Sequence, residues 1–182
     1  MINEIPKNIF RFFFLVLLQV LIIKNIELGR FINPFLYVLF ILMLPLNTPN
    51  WLALIISFLL GLTVDMFYDT MGMHAAACVF MAYARSGVLK LFSPRDGYEF
   101  GTQPTIQYLG LPWFLSYAGI LILLHHCVLF FIEVFRFSEF FSTLARIILS
   151  SLFTFMLVVT SQFFFYRKKQ QQWILFLTEN TL

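Results

Sequence analysis

The sequence predicts an all-α integral membrane protein, a bundle of about six transmembrane helices. One observation is composition: 60% of the 182 residues are hydrophobic and 12% are charged, against roughly 25% charged in a soluble domain. A soluble globule could not hide that much apolar surface. A second is arrangement, because the apolar residues come in long runs, and ~20 such residues cross a ~30 Å hydrocarbon core as a helix. The 25 phenylalanines and a mean hydropathy of +0.87 agree.

Runs of apolar residues divide the chain into segments at about 9–27, 35–46, 51–68, 73–92, 111–133 and 141–166. Together they make one transmembrane domain over 1–168. The first follows a basic start and has no small-residue A-x-A cleavage site after it, so it reads as a retained span rather than a removed signal. The second is short, and "LPLNTPN" at 44–50 closes it with two prolines that remove backbone donors; it is expected to form a tight hairpin with the third. Residues 93–110 are the only extended polar stretch, rich in turn-forming Gly and Pro, and read as a cytoplasmic loop. After the basic cluster Arg167, Lys168 and Lys169, the apolar run from Trp173 is too short to cross again. Residues 169–182 therefore read as a cytoplasmic tail.

Orientation follows from the basic residues, which are enriched in cytoplasmic loops. With the N-terminus inside, the cytoplasmic side collects Lys7, Arg11, Arg85, Lys90, Arg95, Arg167, Lys168 and Lys169. The other side holds Lys24, Arg30, Arg136 and Arg146. Eight against four places both termini in the cytoplasm. A net charge of +3 would suggest nucleic acid in a soluble protein; here it reflects this asymmetry, and no nucleic-acid partner is expected.

The stretch "GLTVDMFYDTMGMHAAACVFMAYAR" (61–85) sets Asp65, Asp69, His74 and Arg85 among apolar residues. Asp69, beside a turn, and His74, at a helix start, are expected within reach of water. Asp65 lies about one turn inside the boundary, where an unpaired carboxylate is costly and marks a functional candidate. Arg146, about five residues into the last segment, falls at a similar depth, so an Asp65–Arg146 ion pair is expected to fix the third segment against the sixth. Arg85 lies too deep on the other side for that pairing and is expected to snorkel toward cytoplasmic headgroups. Ser57 and Gly61 form a small-xxx-small pair, and Ala75, Ala76, Ala77 and Ala82 thin one side of the fourth segment. Such residues serve close helix packing or a groove for a partner helix.

Chemistry is not signalled. His125 and His126 are adjacent, and a helix turns about 100° per residue, so they do not converge on one ion. Cys78 and Cys127 sit in apolar segments as small hydrophobes. No H-E-x-x-H pattern, Gly-rich phosphate loop or G-x-S-x-G elbow occurs. Neither catalysis, a metal nor a cofactor is expected.

The run Gly61-Leu62-x-x-Asp65, then Gly72, Ala75 to Ala77, Ala82-Tyr83 and Arg85 before Pro94 resembles the bacterial rod shape-determining protein MreD family. The most specific part covers about residues 41–95, and Gly61, Asp65, Gly72 and Arg85 are the positions that match. The loop from Ser93 to Pro112 is longer than the family pattern. The resemblance implies a fold similar to the substrate-binding subunits of energy-coupling-factor transporters. It also implies a non-catalytic scaffold role in the bacterial cytoplasmic (inner) membrane, in the elongation complex that guides peptidoglycan synthesis and cell shape. The implied partners are an MreC-like single-pass protein and, through it, an MreB-like actin homologue, a RodA-like glycan polymerase and a class B penicillin-binding protein, besides membrane lipid. The alternative is a small-molecule-binding subunit of a transporter. That reading expects Asp65, His74, His125 or Glu133 to converge on one cavity, whereas a scaffold expects a groove of small and apolar residues.

Overall fold

The computed structural model describes residues 4–26, 29, 31–95, 97–98, 102–134 and 139–179, with side chains between Pro6 and Phe164. The described residues are helical, with no strand. The elements are α1 (Glu4–Leu21), α2 (Leu39–Leu42), α3 (Asn50–Tyr68), α4 (Met73–Leu91), α5 (Ile106–Leu109), α6 (Leu111–Val134) and α7 (Phe140–Glu179); single 3-10 turns lie at Ile23–Asn25 and Leu36–Val38. Four stretches are long and apolar enough to cross a membrane: Pro6–Asn25, Asn50–Tyr68, Leu111–Val134 and Phe140–Phe164. α4 has 19 residues but carries His74, Arg85 and Lys90, which lower its apolarity.

The segment expected as a span at 35–46 is not among these four stretches. Its helical part is the turn Leu36–Val38 followed by the four residues of α2, and the chain then leaves helix before Pro45. Tyr37, Val38, Ile41 and Leu42 have no exposed surface, so this half-helix is packed inside the bundle rather than against lipid. Such broken backbone is tolerated at membrane depth only where protein surrounds it and supplies its hydrogen bonds. α7 continues without a break to Glu179, through residues read as a tail; the residues after Glu179 lie outside the described ones. Within the expected 93–110 loop, the described residues include the short helix α5. Tyr98 and Trp113 tie the loop back to the end of α4 through the carbonyls of Leu89 and Phe92.

α3 and α4 form the tightest pair. Pro49 precedes α3 in an extended conformation, where a missing N–H costs nothing. Asp69 ends α3 in the left-handed region at φ 53, and Gly72 precedes α4 at φ 83, so the chain reverses in a few residues. Gly61 sets the spacing: a methyl added there would lie 2.4 Å from Ala75 Cα and 2.6 Å from both Ala75 N and His74 O. These are backbone atoms that no rotamer change can move.

Gly61→Ala is therefore expected to destabilise the protein by about 1–3 kcal/mol by forcing α3 from α4. Gly119→Ala, whose methyl would meet only a Phe155 ring atom at 3.6 Å, should be near neutral. Thermal unfolding of the two variants in the same detergent checks the contrast; equal midpoints would remove the packing argument.

Candidate functional site

Asp65 is 2% exposed and sits one turn after Gly61 on the face turned to α4. Its carboxylate accepts the backbone N–H of His74 (3.0 Å) on Oδ1 and that of Ala75 (2.9 Å) on Oδ2, and Oδ1 also accepts the Thr70 hydroxyl. The first turn of a helix leaves N–H groups without partners, and Gly72 has no side chain to cap them. Asp65 supplies the cap from the neighbouring helix, with its negative charge at the positive end of the α4 dipole. The expected pairing with Arg146 does not form. Arg146 instead bonds Glu133 at 3.0 and 3.3 Å and lies 4.7 Å from the Phe130 ring centroid. Glu133 on α6 faces α7 across its starting turns, while the Asp65 oxygens are already occupied by donors of the adjacent helix.

Arg85 does not snorkel. It is 3% exposed, and its guanidinium donates to the carbonyls of Leu44 (2.5 Å) and Pro45 (3.3 Å) and, through Nε, to the Tyr117 hydroxyl (2.9 Å). Tyr117 in turn donates to Leu42 O at 3.0 Å. The carbonyls that end the half-helix thus meet a cation, which also suits the negative end of a helix. Sequence reasoning had no reason to look inward, because the acceptors are backbone atoms of a segment read as an ordinary span.

Of the two residues expected within reach of water, Asp69 is exposed and His74 is buried at 3% exposure, where it borders a cavity. Tyr37 Oη lies 2.8 Å from His74 Nδ1 and 2.9 Å from His125 Nε2, so one phenol links two imidazoles across the bundle. His126 turns away to Ile122 O (2.8 Å) and Thr154 Oγ1 (3.2 Å). Phe35 packs among the rings of Tyr37, Tyr68, His74, His125, His126 and Phe130. Among the described residues no three His, Cys, Asp or Glu side chains are grouped to hold a metal ion.

Two concave features result. On the outer face of the α3–α4 pair runs a trough of about 940 Å³ with Gly72, Ala75 and Ala76 on α4's side of the floor and walls from Leu54, Phe58, Leu62, Val79, Phe80 and Tyr83. The second is a cavity of about 300 Å³ among the ends of α1, α3, α4, α6 and α7, lined in part by Lys24, Tyr68, His74, Glu133 and Arg146. Of the sequence-predicted residues, Gly72 and Ala75 line the trough, and His74 and Arg146 line the cavity. Ser57, Gly61, Asp65 and Arg85 are buried inside the bundle, and Ser57 Oγ has no hydrogen-bond partner among the described residues. Residues that sequence reasoning missed are Gln19, Tyr37, Tyr117, Ser150 and Thr154. Ser150 and Thr154, four apart in an apolar helix, share one helix face, and that spacing is the signal that could have found them.

Asp65→Ala is expected to cost about 2–3 kcal/mol, from a lost cap and stranded buried N–H groups, while Arg146→Gln should cost less than about 1 kcal/mol because its ion pair is partly exposed. The double exchange Asp65→Arg with Arg146→Asp should rescue nothing. Unfolding midpoints of the three variants decide the matter, and recovery in the exchange would restore the pairing the structure replaces.

Compared with family models, with curated proteins and with solved structures, the chain matches none.

Proposed function

We propose that this protein is a non-catalytic scaffold subunit of the bacterial cell-elongation complex, seated in the cytoplasmic membrane with both termini on the cytoplasmic side. In this reading α4 is a further crossing and the buried half-helix completes a bundle of about six segments, similar to the substrate-binding subunits of energy-coupling-factor transporters. The observation that carries the reading is the α3–α4 trough. Its floor is small, its walls are aromatic and aliphatic, and from Gly72 to Tyr83 it runs about 17 Å along α4 at ~1.5 Å per residue. Small residues let a second backbone approach closely, which is how helices associate in lipid without a hydrophobic driving force. The occupant is the single transmembrane helix of an MreC-like partner, through which the MreB-like, RodA-like and penicillin-binding components are reached. The trough lies within the stretch that carries the resemblance to MreD.

The alternative, a transporter's small-molecule-binding subunit, required Asp65, His74, His125 or Glu133 to converge. Asp65 is spent capping α4 and His125 is held by Tyr37, so only His74 and Glu133 reach one cavity. The polar groups in the bundle mainly satisfy backbone, which favours the scaffold.

Ala76 is exposed on the trough floor, so Ala76→Trp should fill the trough and leave the fold intact. Mild-detergent co-purification from native membranes is expected to retain a single-pass periplasmic scaffold protein with the wild-type chain and to lose it with Ala76→Trp at an unchanged unfolding midpoint. Retention of paired cytoplasmic ATPases with a membrane coupling subunit would sink the scaffold reading.

A further inference from the structure

The cavity at the α3–α4 turn end of the bundle shares only Thr70 with the trough among the lining residues, and its wall is rich in hydrogen-bond donors. Lys24 Nζ donates to Phe67 O at 2.6 Å and lies 4.8 Å from the centroid of the Tyr68 ring. Arg146 uses Nη2 on Glu133. Among the described residues its Nη1 makes no hydrogen bond, and its Nε is buried without a partner. A guanidinium offers five donors in a rigid fork, so most of this one is unspent.

His74 adds a third donor by elimination. Tyr37 has one hydroxyl proton, so of the two imidazoles on its oxygen one donates and the other accepts. His125 Nδ1 is buried with no partner; a proton there would be an orphaned donor, which is rarer and costlier than an idle lone pair. The His125 proton therefore sits on Nε2 and points to Tyr37; the Tyr37 proton goes to His74 Nδ1, a stronger acceptor than the neighbouring Cys78 sulfur, and neutral His74 then carries its own proton on Nε2. That nitrogen bonds nothing among the described residues, and His74 lines the cavity. Among the described residues, Lys24 and Arg146 against Glu133 leave one net positive charge on the wall.

We propose that this cavity binds a phosphate group between Lys24, Arg146 and His74. Arg and Lys recognise phosphate by charge-assisted hydrogen bonds, the Arg fork bidentately. A volume of about 300 Å³ admits a headgroup rather than a whole two-chain lipid, and Ile23, Ile26 and Leu129 on the same wall suit the first carbons of an amphiphile. Glu133 is the built-in competitor: it holds one edge of the Arg146 guanidinium and repels the same anion.

Calorimetric titration of the full chain in a nonionic detergent tests this with three probes: inorganic phosphate, dihexanoyl phosphatidic acid, and dihexanoylglycerol, which lacks the phosphate. One-site binding of a phosphate probe is expected, with dihexanoylglycerol inert. Tighter binding of phosphatidic acid than of inorganic phosphate identifies a headgroup site, and equal binding a site for the free anion; both support the proposal. Lys24→Gln and Arg146→Gln should each weaken binding roughly tenfold or more. Glu133→Gln should tighten it several-fold, a change of sign that damage to the fold cannot produce. Should Arg146→Gln fail to fold, Arg146→Lys keeps the charge and is expected to lose affinity through the missing fork. No binding of either phosphate probe, equal binding of dihexanoylglycerol, or weaker binding in Glu133→Gln overturns the proposal.

Discussion

The bundle is organised around a stretch of backbone, residues 31–45, that enters it at Pro34 and has no helix of its own long enough to satisfy it. In hydrocarbon each unpaired N–H or C=O costs several kcal/mol, so the surrounding helices carry polar side chains where lipid-facing helices would not. Gln19 of α1 takes Pro34 O and Leu36 N. Ser150 and Thr154 of α7 take Phe31 O, Asn33 N and Phe35 N. Arg85 of α4 and Tyr117 of α6 take the carbonyls of Leu42, Leu44 and Pro45, and Arg11 takes that of Met43. Four long helices are thereby fastened to one short segment, and among the described residues the buried Gln19, Arg85, Ser150 and Thr154 all serve its backbone.

The α3–α4 hairpin follows the same logic at one remove. Gly72 gives the turn its left-handed residue but removes the capping side chain α4 needs, and Gly61 brings the helices close enough for Asp65 to supply it. A carboxylate deep in an apolar stretch is in this case an answer to backbone, not to a charge. The same closeness leaves the small side of α4 facing outward beside Phe58, Leu62 and Phe80, so packing inside and the trough outside arise from one arrangement of small residues.

The sequence made the class and the long helices legible, because hydropathy acts locally and a run of apolar residues such as 111–133 admits few other readings. It marked Gly61, Asp65 and Gly72 as unusual for the same reason. It misplaced partners. Depth along a helix suggested that Asp65 meets Arg146, yet depth says nothing about azimuth, and Glu133 on the next helix is the carboxylate that faces Arg146. Arg85 was assigned to the cytoplasmic headgroups because its depth separates it from Asp65, and its true acceptors are carbonyls of residues 44 and 45. Backbone acceptors carry no letter in a sequence, so a buried cation that serves them looks unpaired. The half-helix was read as a span because Pro45 and Pro49 mark an end without saying whether the segment before it faces lipid or protein.

The half-helix also imposes an order on how the chain can be made. Synthesis runs from the N-terminus, so residues 33–45 emerge with only Gln19 and Arg11 already available. Arg85 follows 41 residues after Leu44, Tyr117 appears 75 after Leu42, and Thr154 appears 119 after Phe35. Until α7 has been delivered, the backbone of residues 31–35 lacks its Ser150 and Thr154 partners, although the carbonyls of Leu42 and Leu44 are already met. A helix made late among the described ones thus completes the setting of a segment made early.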